Sequence, residues 1–222
     1  MHISEGILPA PWAGLWFVVA APFLFWGLRE IKVRSSETPQ YKPFVSLVGA
    51  AVFILSCMPI PVPIAGTSSH PCGTGLAAIL VGPAPTVVLA SVALTLQALF
   101  MAHGGLTTLG ADIVTMGVAG AYVGYGTFRM ARRAGANVLV AAFLGGVLSD
   151  WATYGATSFI LASALHGGGA FLTMFLTLLV AFVPTQVPLG VLEGVLSAGA
   201  FRFIRIRLPG MVERIPPLGG ST

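Results

Sequence analysis

A chain of 222 residues that is 56% hydrophobic and only 8% charged, with a mean hydropathy of +0.91, has too few charges to wet a globular exterior. A soluble domain carries about 25% charged residues, so lipid must be the solvent for much of this surface, and the fold class implied is an all-α membrane protein. The net charge of +4 is no nucleic-acid signal, because the cations lie beside apolar stretches rather than in one patch.

The chain begins Met1-His2-Ile3. It lacks a basic n-region, and His2, Glu5, Pro9 and Pro11 precede the first apolar run, so no signal peptide is read here and Met1 is expected to stand as the mature first residue. A free amine, the peptide nitrogen of His2 and its imidazole close a five-membered and then a six-membered chelate ring. Three nitrogens in a plane with a fourth position open favour Ni(II) or Cu(II), and imidazole suits several late divalent metals. Displacing the amide proton makes such binding proton-releasing. The Gly/Pro-bounded segment from Ile3 to Pro11 is read as able to tuck into the protein.

Apolar stretches of about 20 residues cross a ~30 Å hydrocarbon core, and shorter ones are allowed where protein shields them. Spans are read at 12–28, 44–60, 86–102, 111–128 and 138–165, with 74–82 a short shielded crossing and 170–204 one span broken at Pro184 and Pro188. That count of seven transmembrane helices puts all eleven Lys and Arg residues, from Arg29 and Lys42 through Arg129 to Arg214, on one side, the cytoplasmic one by the positive-inside rule. The N-terminus then lies outside and inserted into the protein, and the C-terminus is cytoplasmic. The same count places His2, His70, His103 and His166, all four histidines, outside. The domain plan is a single membrane domain over residues 1–207, with 1–11 as its metal-binding segment and 208–222 as a cytoplasmic tail.

His70 sits in a long irregular connection between Pro61 and Gly75, and such backbone at membrane depth must be buried in protein or line a cavity. It is the natural fourth ligand beside Met1 and His2, with Ser68 and Ser69 supplying hydroxyls. His103, in the connection to Asp112, is read as supporting the ligands rather than binding, since metal-bound imidazoles donate their other N–H to an oxygen. Gln97, Thr107 and Asp112 are further supports, whereas His166 among glycines is read as a loop residue. Asp150 and Glu193 fall inside spans, where an ionisable group needs a partner or water. Ser149, Trp151 and Tyr154 are candidate partners for Asp150, and Gln186 shares a helical face with Glu193. Cys57 and Cys72 are read as two packed residues in preference to a disulfide. No HExxH, Walker A or GxSxG sequence is present, so ATP would have to be bound by another subunit.

Four segments carry a family resemblance: Met1 to Pro9, Gly66 to Leu76 (Gly-Thr-Ser-Ser-His-Pro-Cys-Gly-Thr-Gly-Leu), His103 to Gly110, and Pro184 to Gly194. They resemble the CbiM/NikM family, the substrate-capture (S) components of energy-coupling-factor transporters for cobalt and nickel. The resemblance implies a seven-helix fold in the cytoplasmic membrane and a Co²⁺ or Ni²⁺ ion held by the Met1 amine, the His2 backbone and side-chain nitrogens, and His70. It also implies a transmembrane T component, two ATP-binding subunits and a small accessory membrane protein as partners. Ile7 stands where an aromatic residue is common, Cys72 where Thr is usual, and Asp112 where Asn is frequent. The small residues of the first helix that contact the T component in this family are only partly visible, as Ala13, Gly14 and Ala21. An intramembrane metallohydrolase built on His70, His103 and Asp112 is the alternative of a different class, weakened by the missing protease motif. A vitamin-binding S component would want aromatic surface in the outer connections, which contain no Trp.

Overall fold

The computed structural model describes residues 2–58 and 67–207. Helix α1 spans Ala10–Glu37, α2 Tyr41–Ser56, α3 Thr74–Val81 and α4 Pro83–Phe100. A short α5, Leu109–Asp112, runs through a π-helical stretch at Ile113–Gly120 into α6, Ala121–Arg133, as one rod. Helices α7, Val138–Leu165, and α8, Phe171–Arg207, complete the bundle. The described residues thus form seven helical rods, of which α1, α4, α7 and α8 are long and apolar enough to cross a membrane and α2 is a shorter apolar helix. Two strands, β1 at His2–Ile3 and β2 at Thr67–Ser68, pair antiparallel.

The rods alternate between two ends of the bundle. Arg34 and Tyr41, at the α1–α2 junction, both donate to the Val81 carbonyl at the end of α3, at 3.0 and 3.1 Å. Ser56, at the far end of α2, accepts from Gln97 near the end of α4 at 2.7 Å. Arg34 also pairs with Glu30 one turn earlier. The end marked by Arg34 carries the cations of α1, α2, α6 and α8, and the opposite end carries His2, His70 and His103.

Helix α3 has eight residues, all buried, and at 1.5 Å per residue it reaches only about 12 Å. The extended chain from Thr67 to Gly73 supplies the rest of that passage. Irregular backbone survives at this depth because α3 and its lead-in are enclosed by protein. Gly82, with φ of +97°, then reverses the chain into α4.

The expected break in the last span is absent: α8 is helical from Phe171 to Arg207 with Pro184 and Pro188 inside it. Missing proline N–H groups are tolerated in membrane helices when neighbours satisfy the freed backbone. The stretch is also held from the side, where Tyr154 of α7 donates to the Leu179 carbonyl at 3.0 Å and Trp151 to the Gln186 carbonyl at 3.2 Å. The two helices approach closely because α8 offers glycines. A methyl group on Gly194 would lie 2.7 Å from the Val147 side chain, and one on Gly190 2.3 Å from Trp151.

Helix α1 buries only Ala13, Ala20 and Gly27, one narrow stripe seven residues apart. Leu15, Phe17, Val18, Phe25, Trp26 and Leu28 stand exposed, as expected for a face covered by lipid. Of the three small residues singled out on this helix, Ala13 is buried, whereas Gly14 and Ala21 are exposed. A Cβ at Gly27 would lie 2.3 Å from the Ala84 carbonyl of α4, while one at Gly14 would meet nothing within 4 Å. Thermal unfolding in detergent should therefore separate the two positions. Gly27→Ala is expected to destabilise by about 1–3 kcal/mol, and Gly14→Ala to melt at or slightly above wild type.

Candidate metal site

The site is built on the pairing of β1 with β2. The register sets His2 opposite Ser68 and Ile3 opposite Thr67, which brings His2 beside His70 two residues further along. Asp112 of α5 accepts the Ile3 N–H at 2.8 Å and Thr108 donates its hydroxyl to the Ile3 carbonyl at 2.6 Å. Ile3 is fully buried, packed with Leu8, Ala111, Ile160 and Leu161. A second clasp lies further out, where Thr107 donates its N–H to the Glu5 carboxylate at 3.1 Å and its hydroxyl to the other oxygen. The N-terminal segment is thus inserted and fastened on both edges.

Three imidazoles converge there. The ring centroids of His2 and His70 are 4.5 Å apart, those of His2 and His103 4.5 Å, and those of His70 and His103 5.4 Å. Each offers a ring nitrogen within 4.8 Å of those of the other two. His2 and His70 are buried, and the Nε2 atom of each has no hydrogen-bond partner. A buried polar atom left unpaired costs about 1–3 kcal/mol, so two in one cluster make it a candidate site for an electron-pair acceptor. Burial, reinforced for His2 by the neighbouring His70, holds His2 well below the ordinary imidazole value, and burial does the same for His70. Burial also lowers half-buried His103. Neutral imidazoles are what a metal requires. His70 Nδ1 lies 2.8 Å from the Pro71 carbonyl, which fixes its ring and leaves Nε2 to face the cluster.

One carboxylate oxygen of Asp112 lies 3.8 Å from His2 Nδ1 while the other holds Ile3. Glycine at position 104, with φ of +79°, makes room for this arrangement, because a Cβ there would sit 3.0 Å from His2 Nδ1 and 3.5 Å from the Asp112 oxygen. The segment that carries His70 is braced from α8: Gln186 donates to Ser69 at 2.5 Å, and Glu193 accepts the N–H groups of Cys72 and Gly73. Gln186 and Glu193 do share a face, and both use it to hold this loop.

His2, His70, His103 and Asp112 are brought together, and Ser69 is buried next to His70. Ser68 pairs with His2 through its backbone. Gln97 is a brace of the neighbouring connection: its amide bonds Ser56, and its backbone carbonyl accepts the N–H groups of Met101 and His103. Thr107 clasps Glu5 and does not face the imidazoles. His166 caps the end of α7, with Nδ1 3.0 Å from the Ala162 carbonyl, outside the cluster. Trp151 and Tyr154 spend their donors on α8 carbonyls rather than on Asp150, and Ser149 lies against Thr74. Cys57 and Cys72 are not joined to each other. Met1 lies outside the described residues, as do 208–222. Sequence reasoning missed Glu5, Thr108 and Gly104. The Gly-Gly-Leu-Thr-Thr run carried a faint signal, since paired hydroxyls after glycines suit the docking of another chain segment.

Comparison with known proteins gives a consistent picture. The family described as the cobalt uptake substrate-specific transmembrane region matches residues 2–211. The cobalt transport protein CbiM of Sorangium cellulosum is 56% identical over 215 residues, covering 97% of this chain and 96% of that protein. The cobalt transport protein CbiM of Geobacter sulfurreducens is 57% identical over 215 residues, covering 97% of this chain but 62% of the longer relative. A crystal structure of a truncated transition metal transporter superposes with a TM-score of 0.80 over 92% of this chain and 98% of that one, at 24% identity, a likeness of fold.

Two measurements test the geometry without any ligand. Thr108→Val strands the buried Ile3 carbonyl and is expected to cost about 1–3 kcal/mol of stability, read as a lowered melting temperature. The lowered imidazole values mean that the unfolded chain binds more protons once pH falls below about 6.5. Stability present at neutral pH is therefore lost progressively on acidification, and His70→Asn should flatten that slope in melting curves recorded between about pH 7 and 5.

Proposed function

The chain belongs to the cobalt-uptake substrate-specific transmembrane family, and on that premise we propose that it captures a divalent cobalt or nickel ion with its own N-terminus and delivers it inward. It is a transporter subunit rather than an enzyme. The observation that carries the reading is the burial of His2 against His70 and beside His103, with His70 Nε2 unpartnered and His2 Nδ1 near the Asp112 carboxyl. Strand pairing gives no reason to gather three neutral imidazoles in one buried cluster, whereas a cation gives one.

The ligand set is the Met1 amine, the His2 peptide nitrogen, the His2 imidazole and His70. The first three close the two chelate rings through His2 Nδ1, the atom beside the Asp112 carboxylate. A carboxyl group 3.8 Å from that nitrogen can ionise beside a bound cation and pair with it, and little water intervenes to screen the two. His103, half-buried beside both rings, supports the site from its open side. Late divalent metals accept such nitrogen sets, so cobalt and nickel both suit it.

The end of the bundle that carries the histidines faces the exterior, with the N-terminus outside and the basic end of α8 in the cytoplasm, because cations concentrate at the opposite end. The membrane is the cytoplasmic one. Energy comes from two ATP-binding subunits acting through a transmembrane T component, with a small accessory membrane protein completing the importer. The tail 208–222 extends into the cytoplasm. A metallohydrolase would need Asp112 or His103 as a base beside a metal-bound water, but Asp112 is already committed to Ile3 and His2.

Calorimetric titration with Co²⁺ and Ni²⁺ tests the chelate. One residue added before Met1 converts the amine to an amide and should weaken binding more than ~100-fold, since even changes to groups supporting a ligand cost about 10–100-fold. His70→Ala should do the same, and Asp112→Asn should fall within that 10–100-fold range. Unchanged affinity in the extended, folded protein would overturn the chelate.

A further inference from the structure

A groove of about 420 Å³ runs between α2 and α8 at the surface of the bundle, far from the histidines. Leu47 and Ala51 belong to its α2 wall and Gly199, Ala200, Phe203 and Ile204 to its α8 wall, while α3 forms the floor. Every residue lining it is apolar or glycine. The groove exists because α3 is short and deep: α2 and α8 each pack on α3 but do not close over it. Small residues widen the gap, and a Cβ on Gly199 would meet nothing within 4 Å. The rims are open, with Leu47 65% and Phe203 61% exposed.

The α8 wall leads to a cation. Gly199, Ala200, Phe203 and Ile204 follow the spacing of one helical face, and Arg207, four residues past Phe203 and three past Ile204, is the next position on it. Arg207 is exposed, and among the described residues no carboxylate pairs with it. Helix α2 contains no acidic residue, and α8 has none after Glu193. An apolar slot between membrane helices that runs to an unpaired guanidinium matches an anionic phospholipid, whose chain is apolar and whose phosphate takes the paired N–H donors of Arg. A helix is about 10 Å across and cannot enter a slot of this volume, whereas a single acyl chain can. The geometry points to a binding site for one anionic phospholipid, an acyl chain lying in the groove and the phosphate on Arg207. The lipid joins α2 to α8 where the protein's own side chains do not. The proposal depends neither on the cargo nor on which side the histidines face.

The test is native mass spectrometry of the full-length protein in detergent, supplied with phosphatidylglycerol or with phosphatidylcholine of the same chains. Wild type should retain one phosphatidylglycerol per chain, held about fivefold more tightly than phosphatidylcholine, the factor that one cation near a lipid headgroup contributes. Arg207→Gln should abolish that preference, while Arg202→Gln, on the other side of α8 by the helical repeat, should keep it. Gly199→Leu places its side chain in open space, so it should fold and lose both lipids. Ala51→Leu, which fills the groove from the opposite wall, should do the same. Equal retention of the two lipids by wild type overturns the proposal. So does an equal loss of preference in both arginine variants, which would mean a diffuse attraction to the basic end of the bundle. Retention of the lipid by both leucine variants also overturns it, the result expected if the groove receives side chains from a partner subunit's helix instead.

Discussion

Everything in the upper half of this protein depends on how Ile3 is held. Its N–H goes to Asp112, its carbonyl takes the Thr108 hydroxyl, and its side chain fills a pocket between α5 and α7. A two-residue strand has negligible stability of its own, so the pairing of His2 with Ser68 persists because Ile3 is anchored on the other side. The imidazole of His2 is then delivered to His70 by backbone register, with no adjustable linker between them. Few residues would achieve this by any other route, because a chain terminus pays entropy for every residue it orders.

The same economy governs the loop opposite. The segment from Thr67 to Gly73 has no helix to support it, so α8 supports it from the side through Gln186 and Glu193. Prolines at 184 and 188 would weaken such a support, and α7 holds that stretch from the side with two hydrogen bonds to its carbonyls. Glycines at 190 and 194 let the two helices approach closely enough for these bonds to form. The loop that carries His70 is in this way tied to the packing of α8 against α7.

Much of this was legible from the residues. Composition pointed to lipid as the solvent, the cation distribution led to a count of seven helices that the seven described rods match, and the 74–82 stretch was rightly read as short and shielded, since its eight helical residues are all buried. The grouping of His2, His70, His103 and Asp112 followed from placing their connections at one end. The misjudgements share a cause. Pro184 and Pro188 suggested a broken helix because local rules cannot see the packing against α7 that holds the helix through them. Trp151 and Tyr154 looked like partners for Asp150 by sequence proximity, yet helix geometry turns them toward α8. Thr107 looked like a site hydroxyl but faces Glu5, and Thr108, the residue that reaches Ile3, is its neighbour. A single step along the chain decides such a matter, and periodicity does not resolve it at the frayed start of a helix.

The depth of the histidine cluster has a kinetic meaning. On the proposed capture reading, an ion bound for His2 at 1% and His70 at 0% exposure reaches ligands covered on every side but that of half-buried His103. Entry requires the N-terminal strand or its partner loop to part, so the association rate is the encounter rate multiplied by the fraction of time the cover stands open. Departure is slowed by the same factor, because an ion released from its ligands finds the exit shut and rebinds. Such a site trades speed for retention. A dilute ion, once captured, stays long enough for a slower machine to act on it.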